Sequence, residues 1–243
     1  MYMVLTAALL ALLIAPPTAK ALLLVAGAAV AWRMLARPGR QPGPGQPGAS
    51  ALARARELRT PLVRVASALN IPTQAAREAN RYEAGGRGEQ RVAALLAELE
   101  TEGWHFLWDR RLPTGTTNID GLGVSPRGHV YVIDPKKMSA RHPVTVQRGR
   151  LLHGDRDVTD RLDGLMRGAR AVRSLLSVHP VPVAVIDGRL PIGRDFRASG
   201  ARIVAANDVC DALRRMDLAR VPRQRPANFL DIAARLLPPY TGR

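Results

Sequence analysis

The chain has 243 residues, enough for one substantial core plus extensions. Aromatic residues are only 4% and Cys210 is the single cysteine, which excludes a base-stacking platform, a disulfide framework and a cysteine-based zinc site within one chain. Lysine and arginine number 36 against 20 aspartates and glutamates, a formal charge of +16 that favours a polyanionic partner, nucleic acid or an anionic membrane surface, over a merely basic Arg-rich surface.

Residues 1–32 are almost wholly apolar, with Lys20 the only charge, and divide at Pro16-Pro17 into runs at 4–15 and 21–32. Each run is short for a helical span, which needs about 20 residues. Residues 1–36 are therefore expected to meet the membrane as one Pro-kinked span or as a hairpin. A signal peptide is the weaker reading, because no positive side chain precedes the apolar run. Arg33, Arg37 and Arg40 follow directly, and positive charge beside a span stays cytoplasmic, so the expected location is the cell membrane with the globular part in the cytoplasm. Residues 37–50 are a Pro/Gly linker. Residues 51–80 are a basic helical region carrying Arg54, Arg56, Arg59 and Arg64, cut into two pieces by Pro61.

Residues 81–220 read as the globular domain. Gly85-Gly86-Arg87-Gly88 is expected to break the chain before a helix over 89–99, whose apolar face is Val92, Leu95, Leu96 and Leu99 and whose stop is Gly103. Strands are expected at 104–112, 119–124 and 129–136, the last two joined by the turn Ser125-Pro126-Arg127-Gly128. Weaker strands follow at 144–146 and 150–153, then a long helix over 160–178. Buried strands are expected at 181–186 and 202–205, and a helix at 207–216 with Asn207 as its cap. This order predicts an α/β domain, a mixed central sheet flanked by helices. Residues 221–243 are a basic Pro-rich tail with one amphipathic piece at 229–237.

Taking the hairpin turn as centred between Pro126 and Arg127, Asp120 falls near Ile133 and Asp134, and alternation places Asp134 and Lys136 on one face. Two carboxylates and one amine converge, and carboxylates held close repel unless a cation sits between them. Mg²⁺ or Mn²⁺, with its preference for hard oxygen ligands, suits that arrangement, and a lysine beside it can orient or deprotonate water. An ordinary solvated strand end would have the same residues. The run Val130-Tyr131-Val132-Ile133 is apolar on both faces, however, so Asp134 emerges from a buried strand. The chain uses Arg for nearly every positive charge, yet its lysines include the pair Lys136 and Lys137 directly after this acid, and Lys gives up a proton where Arg does not.

Other chemistries find no support. His105, His129, His142, His153 and His179 have no metal-ligand spacing, Ser125, Ser139 and Ser174 lack a nucleophile elbow, and the glycines at 85–88 follow no strand and precede no P-loop lysine. Cys210 reads as a small core residue.

Asn118-Ile119-Asp120, a Gly turn and Val132-Ile133-Asp134-Pro135-Lys136, with Gly88-Glu89-Gln90-Arg91-Val92 upstream, resemble the nuclease-related (NERD) domain over roughly residues 84–180. That family is regarded as related to the PD-(D/E)xK nucleases. The resemblance implies a restriction-endonuclease-like sheet flanked by helices, a divalent metal and a role in DNA processing. It makes Asp120 and Asp134 metal ligands, Lys136 the catalytic amine and Glu89 an acid reaching the site from the first helix. By its own position Glu89 is equally a first-turn acid complementing the helix dipole. The chain departs from the family pattern at Gly121, where His is usual, and at Asp134, where Glu is frequent. Its long helix carries Arg167 and Arg170 and no Gln. The expected function is a membrane-anchored, metal-dependent phosphodiesterase acting on DNA. The alternative is an inactive, membrane-tethered nucleic-acid-binding or scaffold domain. Either way DNA contact is mainly to phosphate.

Overall fold

Apolar runs with helical spacing and apolar runs without it alternate through the second half of the chain, and the backbone follows them. The computed structural model describes residues 16, 18, 27, 42–113, 118–191 and 196–241. The chain divides into two compact units, residues 1–40 with 56–79, and residues 41–55 with 80–243.

In the first unit, helix α2 (Pro61–Ala68) starts on a proline, whose missing N–H costs nothing at that position, and Thr60 Oγ1 accepts from the Val63 N–H. Leu62, Leu69 and Ile71 stay exposed. Among the described residues no helix is long and apolar enough to cross a membrane. The apolar stretch at 1–36 lies outside the described residues except for Pro16, Thr18 and Gly27.

The second unit is built on a six-stranded sheet in the order β1-β2-β3-β7-β9-β8. Its strands are β1 (His105–Arg111), β2 (Asn118–Val124), β3 (Val130–Lys137), β7 (Val181–Asp187), β8 (Phe196–Ala198) and β9 (Ala201–Ala205). The pairs β1/β2, β2/β3 and β8/β9 are antiparallel, and β3/β7 and β7/β9 parallel. A small sheet of β4 (Val144–Gln147), β5 (Arg150–His153) and β6 (Arg156–Asp157) interrupts the crossover from β3 to β7. Successive side chains point to opposite faces, so the central strands fill two cores. Val130, Val132, Ala184 and Ile186 pack with Leu162 and with Leu165, Ala169 and Val172 of α4 (Asp163–Leu176). Tyr131, Ile133, Val183 and Val185 pack with Val92, Leu96 and Leu99 of α3 (Gln74–Glu100) and with Leu213 of α5 (Val209–Leu218). The mixed α/β sheet flanked by helices thus stands as expected.

Four local expectations are corrected. Gly85-Gly86-Arg87-Gly88 does not break the chain: α3 runs through it from Gln74 to Glu100. Glycine costs a helix only about 1 kcal/mol per residue, and here the missing side chain is needed. A Cβ on Gly86 would meet Leu52 Cγ at 2.8 Å and Gly48 O at 3.2 Å. The hairpin register is one residue off the expected one. Val124 pairs with Val130 and Gly121 with Ile133, so the turn centres on Arg127. Asn207 does not cap α5; a 3₁₀ turn (Ala206–Asp208) precedes that helix, and Asn207 Oδ1 accepts from Arg91 Nη2 at 3.0 Å. The Pro-rich segment after 220 is part of the fold and not a tail. Phe229 and Ala233 of α6 (Phe229–Leu236), with Leu237, recur every four residues on one face and are buried in the α4-side core. Arg110 locks that end by donating to Leu237 O at 2.6 Å and Ala234 O at 3.0 Å, and the Arg111 N–H donates to Pro238 O.

The Pro/Gly stretch ends in a strap over α3. Gly48 and Ala49 are buried, and α1 (Ala49–Leu58) begins there. Gly48 has φ +73 and a Cβ on it would lie 2.4 Å from Gly86 O. Gly48→Ala is therefore expected to lower unfolding stability by on the order of 1–3 kcal/mol. Gly43→Ala, where a Cβ meets nothing within 4 Å, serves as control and leaves the urea midpoint in place. Equal midpoints for the two variants would show that the strap is not seated on α3 in solution.

Candidate active site

At the carboxyl end of β3 the strand leaves the core still carrying charge. Asp134 is only 6% exposed, and its Oδ2 lies 2.6 Å from Lys136 Nζ. The two side chains meet because a strand repeats its facing every second residue. Asp134 Oδ1 is buried with no hydrogen-bond partner. Such an oxygen is costly unless something fills its lone pairs. Pro135 is accommodated: the ladder to β2 reaches Gly121 opposite Ile133 and no further, while the parallel ladder to β7 continues through Lys137 opposite Asp187. One step on from Gly121 and Ile133, the register sets Asp120 opposite Asp134.

Glu89 enters from α3. It is buried, and its Oε2 accepts the Gly48 N–H at 3.0 Å. Burial first, then the negative charge of Asp109, push its carboxyl up to about 7, against the opposing pull of the Gly48 N–H and Lys136. The Asp120 carboxyl is held well above the usual range. Burial is the main cause, followed by the charges of Glu89 and Asp134, with Lys136 opposing and a hydrogen bond to Asp134 adding to the rise. Asp120, Asp134, Lys136 and Glu89 therefore act on one another electrostatically. One amine faces more than one carboxyl group, and a bound cation would favour their charged forms.

Asp109 was not legible as part of this group. It is fully buried on β1 with φ +47, Oδ2 accepting from Ser50 N–H at 2.8 Å and Oδ1 from Asn118 Nδ2 at 2.7 Å. Asn118 Nδ2 also reaches Ser50 Oγ at 3.0 Å, so the strap, β1 and the start of β2 share one polar knot. The only signal in the sequence is an acid inside an otherwise ordinary strand. Lys137 points away from this centre. It pairs with Asp187 Oδ2 at 3.2 Å, while Arg91 takes Asp187 Oδ1 at 2.7 Å. Arg167 and Arg170 remain exposed on α4.

The donor set suits a hard divalent cation in kind: carboxylate oxygens, one of them lacking any partner, beside an amine. In number it is lean. Among the described residues no three His, Cys, Asp or Glu side chains are gathered so as to hold a metal ion.

Residues 84–186 match the family model of NERD, the nuclease-related domain, which spans the helix bearing Glu89 and the strands bearing Asp120, Asp134 and Lys136. The PD-(D/E)xK-like superfamily is consistent with that match. No curated protein matches the chain, and no solved structure does.

The raised Glu89 carboxyl has a consequence for stability. Its unfolded value is 4.5 and its folded value about 7. The neutral form is thus favoured in the fold, and that advantage is complete below pH 4.5 and lost as pH rises through about 7. Glu89→Gln, which keeps an acceptor for the Gly48 N–H, removes the loss. Relative to wild type, the variant should gain on the order of 2 kcal/mol between pH 5 and pH 8 in metal-free urea unfolding. A pH-independent difference between the two proteins would show that Glu89 is charged in the fold throughout.

Proposed function

From the nuclease-related domain carried on residues 84–186, we propose that this protein is a membrane-anchored, metal-dependent phosphodiesterase acting on DNA. The observation that supports it most is Asp134, one oxygen on the Lys136 amine and the other buried without a partner, beside the raised carboxyl of Asp120. Asp120 and Asp134 would hold Mg²⁺ or Mn²⁺. That ion, when bound, would polarise the phosphodiester and offset the charge that develops on it. Lys136, fixed by Asp134, is placed to orient the attacking water or to neutralise a phosphate oxygen. Hydrolysis forms a bond from water oxygen to phosphorus and breaks the bond to one ester oxygen, which leaves with a proton. Glu89 adds a further acid at the edge of the site, turned toward the Gly48 N–H. The DNA backbone is held by the arginine-rich surface, and residues 1–36 tether the domain on the cytoplasmic side of the cell membrane, oriented by Arg33, Arg37 and Arg40.

A second reading has its own observation. With Gly121 and Asp134 in place of the family's more usual residues, and no three-ligand group among the described residues, the domain would bind nucleic acid without cutting it.

The site is tested on the full chain, because Phe229, Ala233 and Leu237 belong to the core. Asp120→Ala and Asp134→Ala should each abolish Mg²⁺- or Mn²⁺-dependent DNA cleavage, and the double variant should be no worse than either. Lys136→Ala should lower the cleavage rate about 100-fold or more while metal affinity by calorimetry changes little. Lys136→Arg should not rescue, since guanidinium does not give up its proton. Equal metal affinity in wild type and Asp120→Ala would rule out a shared ion. Wild-type binding of DNA with no cleavage in either metal would select the second reading.

Binding has a separate signature. If phosphate contacts dominate, the logarithm of DNA affinity falls linearly with the logarithm of salt concentration. Filter-binding titrations from low to moderate ionic strength check this; affinity indifferent to salt would refute the phosphate mode.

A further inference from the structure

The hairpin β2–β3 has a second end, and its chemistry is opposite. The chain from Arg220 to Asn228 crosses the turn at residues 125–128. The Arg223 N–H donates to Arg127 O at 2.8 Å, Arg127 Nη2 to Arg220 O at 2.9 Å and Arg225 Nε to Gly128 O at 2.9 Å. Gly128 is required there, since a Cβ on it would meet Arg223 O at 1.9 Å. A buried clasp fixes the start of this crossing. His129 Nδ1 lies 2.6 Å from Asp217 Oδ1, and its Nε2 lies 2.8 Å from Val221 O.

Between the turn and the crossing lies a pocket of about 540 Å³. Small-molecule sites run from roughly 300 to 1,000 Å³. Arg127, Arg223 and Arg225 line it, and none of the lining residues is an acid. Arg127 Nε is buried with no hydrogen-bond partner. Arg225 lies over the Phe229 ring at 5.1 Å, and burial together with the charge of Arg223 holds its guanidinium below the usual arginine value. Two guanidinium groups, of Arg127 and Arg225, are held on backbone carbonyls, that of Arg223 is exposed beside them, and no carboxylate lines their pocket, a donor set that suits an anion. The remaining walls are largely apolar and include Pro126, Pro222 and Leu230.

We propose that this pocket binds a phosphate-bearing ligand of nucleotide size, its phosphate on Arg127, Arg223 and Arg225 and its ring against the proline and leucine walls. The ligand is either a free mononucleotide or one nucleotide of a nucleic-acid strand. Neither case depends on the acid cluster at the other end of the hairpin, so the proposal stands or falls apart from catalysis.

The experiment is calorimetric titration of the full chain with deoxyadenosine monophosphate, deoxyadenosine, inorganic phosphate and a short 5′-phosphorylated oligonucleotide, each without divalent metal. Arg223→Gln is the main variant, because that side chain is exposed and its loss leaves the backbone bond to Arg127 in place. Arg127→Gln is the second, and Arg156→Gln, an exposed arginine on β6, is the control for net charge. Thermal melting confirms that each variant is folded. The expected result is that Arg223→Gln and Arg127→Gln each weaken binding about tenfold or more while Arg156→Gln changes it little. Such a loss for the monophosphate identifies a free nucleotide; a loss seen only for the oligonucleotide identifies a strand. The proposal is overturned if deoxyadenosine binds as tightly as its monophosphate. It is equally overturned if no probe binds, or if Arg156→Gln weakens binding as much as Arg223→Gln does.

Discussion

Asp134 brings a carboxyl group to the edge of the core, where Lys136 and Asp120 meet it. Its Oδ2 rests on Lys136 Nζ at 2.6 Å and its Oδ1 on nothing. A buried ion pair repays its desolvation only when the remaining lone pairs are also satisfied. Around it Asp120, Glu89 and Asp109 add further carboxyl groups, and the rise of Glu89 and Asp120 reflects their burial first and the neighbouring carboxyl charges second. The structure thus concentrates unfavourable electrostatics at one place, and hydrophobic packing elsewhere must sustain it. The two cores do so: Tyr131 and Ile133 on one face and Val130 and Val132 on the other leave β3 no freedom to turn Asp134 outward.

The strap gives the acid cluster its second support. Gly48 can lie against Gly86 because neither residue has a side chain. The close approach puts the Gly48 N–H on Glu89, and two residues later the Ser50 N–H on Asp109. The Gly48 amide favours the charged form of Glu89, against the burial that raises it. The close approach of Gly48 to Gly86 thus brings neutral backbone donors to buried acids.

The hairpin β2–β3 is polarised along its length. Asp120 and Asp134 stand at one end and Arg127 in the turn at the other, beyond the roughly 14 Å of strand, at about 3.4 Å per residue, that separates Asp134 from Val130. At that separation the arginines and the acids are largely screened from one another. The carboxyl-terminal segment maintains the basic end through the His129–Asp217 contact and the Arg225–Phe229 stack. It also closes the α4-side core with Leu237, so fold and basic pocket are stabilised by the same residues.

Local pattern was enough for the central strands, for α4, and for placing Asp134 and Lys136 on one face, because these depend on periods of two and 3.6 residues and on apolar runs. The match over residues 84–186 rests on the same stretch, with Glu89, Asp120, Asp134 and Lys136 all inside it. Local pattern misjudged Gly85-Gly86-Arg87-Gly88 and the segment after 220, where intrinsic preference and composition are overridden by tertiary contact. It carried no trace of Asp109 in the acid cluster, of the Gly48 amide on Glu89 across 41 residues, or of the arginines gathered from positions 127, 223 and 225. The sequence by itself determined which residues alternate on a strand and which line a helix, since those are set by bonded neighbours. Only the tertiary structure decided which distant amides and charges face one another, because that depends on close packing between segments that no local period connects.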